Sequence, residues 1–184
     1  MLNRVQRMFL CAPLLAFADI PFSMATARRL SSLLWWLGLG RMYMGSGRRG
    51  ETTPFSRNVL TSDEARYRRN AALYDAFPQL ALGAPTVGWV RAACRAIARI
   101  HDPEFINRIR IPILFVAAGA DTVVSTPAIE AYAGRLKSGG LLTIDHARHE
   151  IFQEADIYRE QLLAAFDAFI PGTDPAGEPN TVAL

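Results

Sequence analysis

Three things are scarce in this 184-residue chain, and each scarcity removes a class of function. Cysteine occurs twice, at Cys11 and Cys94. Two thiols so far apart form neither a disulfide framework nor a thiolate metal site, and a reducing compartment is the default. Lysine occurs once, at Lys137, among 20 Lys and Arg residues, and the net charge is only +3. No basic run is interleaved with aromatics, so nucleic acid is not an expected partner. Long apolar runs are also missing. The stretch from Met8 to Phe17 is too short to span a bilayer. What is present is ordinary for a soluble globular protein: 51% hydrophobic and 20% charged residues. The length suits one domain with a real core, or one domain carrying an insertion.

The first 27 residues admit two readings. "MLNRVQRMFLCAPLLAFADIPFSMATA" has basic, apolar and small residues in the order of a secretory leader. Equally, "VQRMFLCAP" reads as a strand buried on both faces. From about 20 to 105 the chain turns helical, broken by Gly and Pro. "ATARRLSSLLWWLGLG" is expected to end at Gly38 and Gly40. "LTSDEARYRRNAALYDAF" opens with Thr61 three residues before Glu64, a capping-box spacing, and stops at Pro78. "PTVGWVRAACRAIARI" places Trp89, Ala93, Ile97 and Ile100 on one face and Arg91, Arg95 and Arg99 on another. From Ile109 the pattern becomes α/β. "IRIPILFVAAGAD" is a buried parallel strand, and "STPAIEAYAGRLKSGG" a helix capped by Ser125 or Thr126 and stopped by glycines. "LLTID" is a second strand. "ADIYREQLLAAFDAFI" is a helix with Ile157, Leu162, Phe166 and Phe169 on one face. After Pro171 the Gly- and Pro-rich tail, 172–184, is expected to be disordered.

In open α/β sheets, functional groups gather beyond the carboxyl ends of the strands. Asp121 follows one strand; "IDHARHEIFQE", 144–154, follows the next. One helix and one strand separate Asp121 from His149, so both project from the same sheet edge. An acid after one strand and a histidine after the next form the acid–base half of a Ser–Asp–His triad in α/β-hydrolase order. Asp121 alone would more commonly be a turn or cap residue, and His149 alone a surface histidine. Asp145 and His146 read as loop residues, and His101 as a helix-end residue. "HARHE" matches neither zinc-helix pattern, so no metal is expected.

"PILFVAAGADTVV" and "ARHEIFQEAD" resemble the last two motifs of the α/β-hydrolase branch that holds lysophospholipases and monoacylglycerol lipases. "NVLTSDEARYRRN" and "LGAPTVGWVRAA" resemble cap segments of lysophospholipase L2-type proteins, and "RMFLCAPLL" the strand leading into the cap. The resemblance implies the C-terminal part of an α/β-hydrolase sheet with a helical cap insertion: core strand and loop over 1–20, cap over 21–105, and C-terminal core over 106–171. It implies Asp121 and His149 as catalytic acid and base, His149 rather than His146 because the family histidine precedes Glu. It also implies a lipid ester substrate, no cofactor, a cytoplasmic location and room for peripheral contact with the inner membrane. The family's nucleophile stands in Gly-x-Ser-x-Gly, which this sequence lacks. Ser46 in "MGSGR" has glycines directly beside it and follows no strand. The chain is therefore expected to be the C-terminal part of a serine ester hydrolase, inactive alone; a non-catalytic lipid- or protein-binding remnant of the fold is the alternative. Trp35, Trp36 and Leu37 are expected either to line an acyl-chain path or to pack inside the cap, and the arginine face of 91–99 to meet lipid headgroups or solvent.

Overall fold

The computed structural model describes residues 5–45 and 53–170; Ser46 and the tail lie outside them. Three parallel strands, β1 (Met8–Cys11), β2 (Ile113–Ala118) and β3 (Gly139–Ile144), form a sheet in the order β1-β2-β3. The N-terminal stretch thus contains a strand, with Met8 opposite Ile113 and Cys11 opposite Val116. Parallel neighbours require long crossovers. The first of these carries α1 (Met24–Leu34), α2 (Glu64–Ala76), α3 (Val87–Ile100) and α4 (Pro103–Arg108); the second carries α5 (Thr126–Ala133). Helix α6 (Asp156–Phe169) closes the chain.

β2 lies in the middle, and its sequence "ILFVAA" is apolar because both faces are covered. Phe115 and Ala117 point into a core with Ile129, Tyr132 and Val124, while Val116 and Ala118 face Ile144, Ile151 and Leu162. The second core draws in Phe9, which meets Phe166 of α6 edge-on at 5.2 Å. Among the described residues, no helix is long and apolar enough to cross a membrane.

Several local expectations are corrected. The cap of α2 is Asp63, whose carboxylate accepts from the Arg66 amide; Thr61 is fully buried and bonds elsewhere. The buried stripe of α3 runs through Val87, Cys94 and Ile97, leaving Trp89 half exposed. Trp89 lies instead beside Phe17, 6.2 Å between ring centroids. On α6, Leu162 is buried but Ile157, in the first turn, is 68% exposed. Gly139 and Gly140 do not merely stop a helix: α5 ends at Gly134, and the two glycines open β3. A Cβ on Gly139 would stand 2.6 Å from the Ala133 carbonyl, so only glycine lets the strand start so close to α5. Trp35–Leu39 form a wide helical turn with Gly38 at φ 82°, and none of the five is buried. The tryptophans are therefore not packed in a helical core; the Arg91 guanidinium stacks over Trp35 at 4.2 Å.

Because Phe115 is wholly enclosed, Phe115→Ala should lower unfolding free energy by about 3–5 kcal/mol, read from chemical denaturation.

Candidate active site

The register of β2 with β3, Ile113 opposite Gly139 through Ala118 opposite Ile144, brings both strand ends to one edge. Beyond them the two loops almost touch at Gly119. Its amide donates to the Ile144 carbonyl at 2.9 Å, and a Cβ there would lie 2.9 Å from Asp145 Cα. The loops are also tied by the Ala120 amide, which donates to the Ala147 carbonyl at 2.9 Å.

Across this edge His149 Nδ1 stands 2.8 Å from Asp121 Oδ2. The Asp121 side chain is fully shielded from solvent, whereas that of His149 is 24% exposed. Asp121 combines both roles weighed for it. Oδ1 accepts from the Val123 and Val124 amides at 2.7 and 3.0 Å, which shapes its own turn, and Oδ2 is left for histidine. Burial alone would raise its pKa. The bonds from His149, Val124 and Val123 and the attraction of the imidazole outweigh that, and hold it below the ordinary carboxylate value. An ionised carboxylate only accepts, so Nδ1 carries a proton, and in the neutral ring Nε2 is then the acceptor. Among the described residues, no hydroxyl is bonded to that nitrogen.

Cys11, at the end of β1, is the nearby alternative nucleophile. Burial, and then the charge of Asp121, pushes its thiol up to about 11. It is protonated at neutral pH and unsuited to attack. Asp145 and His146 are exposed, His146 in a left-handed turn with φ 63°. His101 does cap the end of α3, and its Nε2 also pairs with the Leu15 carbonyl at 3.0 Å.

Sequence reasoning missed a buried acid. Glu154 is wholly buried and accepts from the Arg148 amide at 2.9 Å, the Ser62 amide at 2.9 Å and the Ser62 hydroxyl at 2.5 Å. Burial opposes its ionisation, but the Ser62, Arg148 and Ala155 donors prevail and its pKa is lowered. The only sequence signal was an acidic residue in the "EIFQEA" turn, indistinguishable from a solvated one. Beside this network, a cavity of about 550 Å³ opens between Tyr67, Asn70 and Tyr74 of α2, residues 80–84, and Glu150, the neighbour of His149.

Comparison with known proteins follows the same lines. The family described as serine aminopeptidase, S33, matches residues 2–156. Lysophospholipase L2 of Escherichia coli K12 is 33% identical over 146 residues, 75% of this chain and 42% of that protein. A probable lysophospholipase L2 of Haemophilus influenzae is 28% identical over 134 residues, again 42% of its length. The chain therefore spans less than half the length of the curated relatives it matches. Among solved structures, Paleococcus ferrophilus monoacylglycerol lipase superposes with a TM-score of 0.64 at 18% identity, covering 91% of this chain and 59% of that one. A soluble variant of Saccharomyces cerevisiae monoglyceride lipase gives 0.61 at 16% identity, covering 88% and 54%. These two show the α/β-hydrolase fold.

Two outcomes test the geometry. Gly119→Ala should force the two loops apart, lowering stability and weakening the His149–Asp121 bond, as read by the loss of the low-field imidazole proton in NMR. Asp121 and Glu154 both titrate below their ordinary values of 3.8 and 4.5. Lowered folded-state values stabilise above the unfolded pKa, so stability should be full above pH 4.5 and fall progressively below it in an acid titration. The chain belongs to the family described as serine aminopeptidase, S33, and has the α/β-hydrolase fold.

Proposed function

We propose that this chain supplies the acid and base of a Ser–Asp–His ester hydrolase acting on monoacyl lipids, lysophospholipid or monoacylglycerol. The observation that carries the reading is the 2.8 Å contact of His149 Nδ1 with the enclosed Asp121 carboxylate at the carboxyl edge of a parallel sheet. In this mechanism Asp121 fixes the imidazole in the Nδ1–H tautomer and steadies the imidazolium. Nε2 takes the proton of an attacking serine and returns it to the departing alcohol. The serine and one oxyanion-hole amide belong to a Gly-x-Ser-x-Gly turn that these 184 residues do not contain, and the second amide to an earlier loop of the fold.

Residues 21–105 act as a cap over the site. The cavity beside Glu150 gives the substrate a place next to the base. The exposed Trp35–Leu39 turn, with Trp36 at 79% exposure and Arg28, Arg29 and Arg41 flanking it in sequence, supports peripheral contact with a lipid surface. The same turn favours the second reading, a non-catalytic lipid-binding role.

A fluorophosphonate probe should leave the 184-residue chain unlabelled. Joined to a half bearing Gly-x-Ser-x-Gly, it should hydrolyse a monoacyl lipid ester. His149→Ala should then lower kcat by at least roughly a thousandfold and Asp121→Asn by roughly ten-thousandfold. Hydrolysis undiminished by His149→Ala would reject the assignment, and a joined protein that binds lipid without hydrolysis would favour the second reading.

A further inference from the structure

We propose that Glu154 is a positioning residue for His149, holding it through the amide of the preceding residue while the turn at 58–62 holds the peptide that follows it. The inference rests on the reading of His149 as the base, and it concerns what aims the ring rather than what the ring touches.

An imidazole keeps its direction only if the backbone on either side is fixed. Here both neighbouring amides are bonded. The Arg148 N–H donates to Glu154 Oε1 at 2.9 Å, and the Glu150 N–H donates to the Leu60 carbonyl at 2.8 Å. Glu154 Oε2 reaches back across the chain to the Ser62 amide and hydroxyl. One carboxylate thus joins the residue before His149 to the segment that holds the peptide after it. That segment is itself made rigid. Asn58 donates to the Thr61 carbonyl at 2.6 Å and accepts from the Leu60 amide at 2.7 Å, and the Arg148 guanidinium donates to the carbonyls of Asn58 and Thr61, each at 3.1 Å. Thr61 Oγ1 completes the clamp by donating to the Gln153 carbonyl at 2.7 Å.

A buried acid that only braced the fold would commonly be matched to a cation. Among the described residues Glu154 is in no ion pair; donors at the two ends of the clamp meet its two oxygens. A carboxamide of the same size has one accepting oxygen and one NH2 group. Whichever way a carboxamide turned at this position, its NH2 would oppose either the Arg148 amide or the Ser62 amide. Glu154→Gln therefore unfastens one flank with almost no change in volume.

The test is NMR of the 184-residue chain carrying isotope-labelled histidine, with the tautomer of His149 read from its ring nitrogens. The wild type should hold the Nδ1–H form. Glu154→Gln should move at least half of that population to the Nε2–H form, and Asp121→Asn should do the same. Ile129→Val, a mild destabilisation in the other core, should leave the tautomer unchanged. If Glu154→Gln does not fold, Ser62→Ala, which removes one hydroxyl from the exposed end of the clamp, should weaken the Nδ1–H signal in a folded chain. A wild-type tautomer in folded Glu154→Gln, or in Ser62→Ala when the first variant is unfolded, overturns the inference. So does an equal loss in Ile129→Val. Failure of the base reading looks different: the wild type itself would lack the Nδ1–H form.

Discussion

The pairing of β2 with β3 is the constraint on which the site depends. Their register carries Ala118 and Ile144 to the same edge, and Gly119 removes the one side chain that would keep the following loops apart. Asp121 then lies three residues past one strand and His149 five past the other. A slip of one residue would turn the buried face of β3 outward and carry Ile144, which is fully buried, to the wrong side. The contact between His149 and Asp121 is thus a consequence of core packing several residues away.

Two buried carboxylates share a logic. Asp121 and Glu154 both lie in surroundings that disfavour charge, and both stay ionised because N–H and O–H donors surround them. Each divides its oxygens between two separate partners. Asp121 gives Oδ1 to the Val123 turn and Oδ2 to His149; Glu154 gives Oε1 to the Arg148 amide and Oε2 to Ser62. Such satisfied networks specify one arrangement sharply, since a half-made version leaves a charge without partners.

The sheet was legible in the sequence because its strands are short apolar runs bounded by Gly, Pro and Asp. "PILFVAAGAD" admits few other readings, and the strand ends pointed to Asp121 and the histidine loop, with the family resemblance choosing His149 over His146. The helical segment was legible as helices but not as faces. α3 keeps its arginines on one side, but small alanines fill the rest, so counting did not separate the Trp89 stripe from the Val87 stripe, and the apolar Trp35–Leu39 turn looked internal yet is exposed. Thr61 offered a good local spacing, but a partner 92 residues away claimed its hydroxyl. Glu154 was illegible for the same reason, since the Ser62 donors come from another part of the chain.

Helix α2 has no buried residue of its own. Its attachments cluster at the start. Arg66 reaches the Glu154 carbonyl and Asp156, and Arg69 pairs with Gln153 at 2.8 Å. Beyond Tyr67 and Asn70 it runs out to Tyr74 and Phe77, which are largely exposed. The anchorage of α2 and the bracing of the histidine loop therefore share one residue, Glu154, and its neighbours.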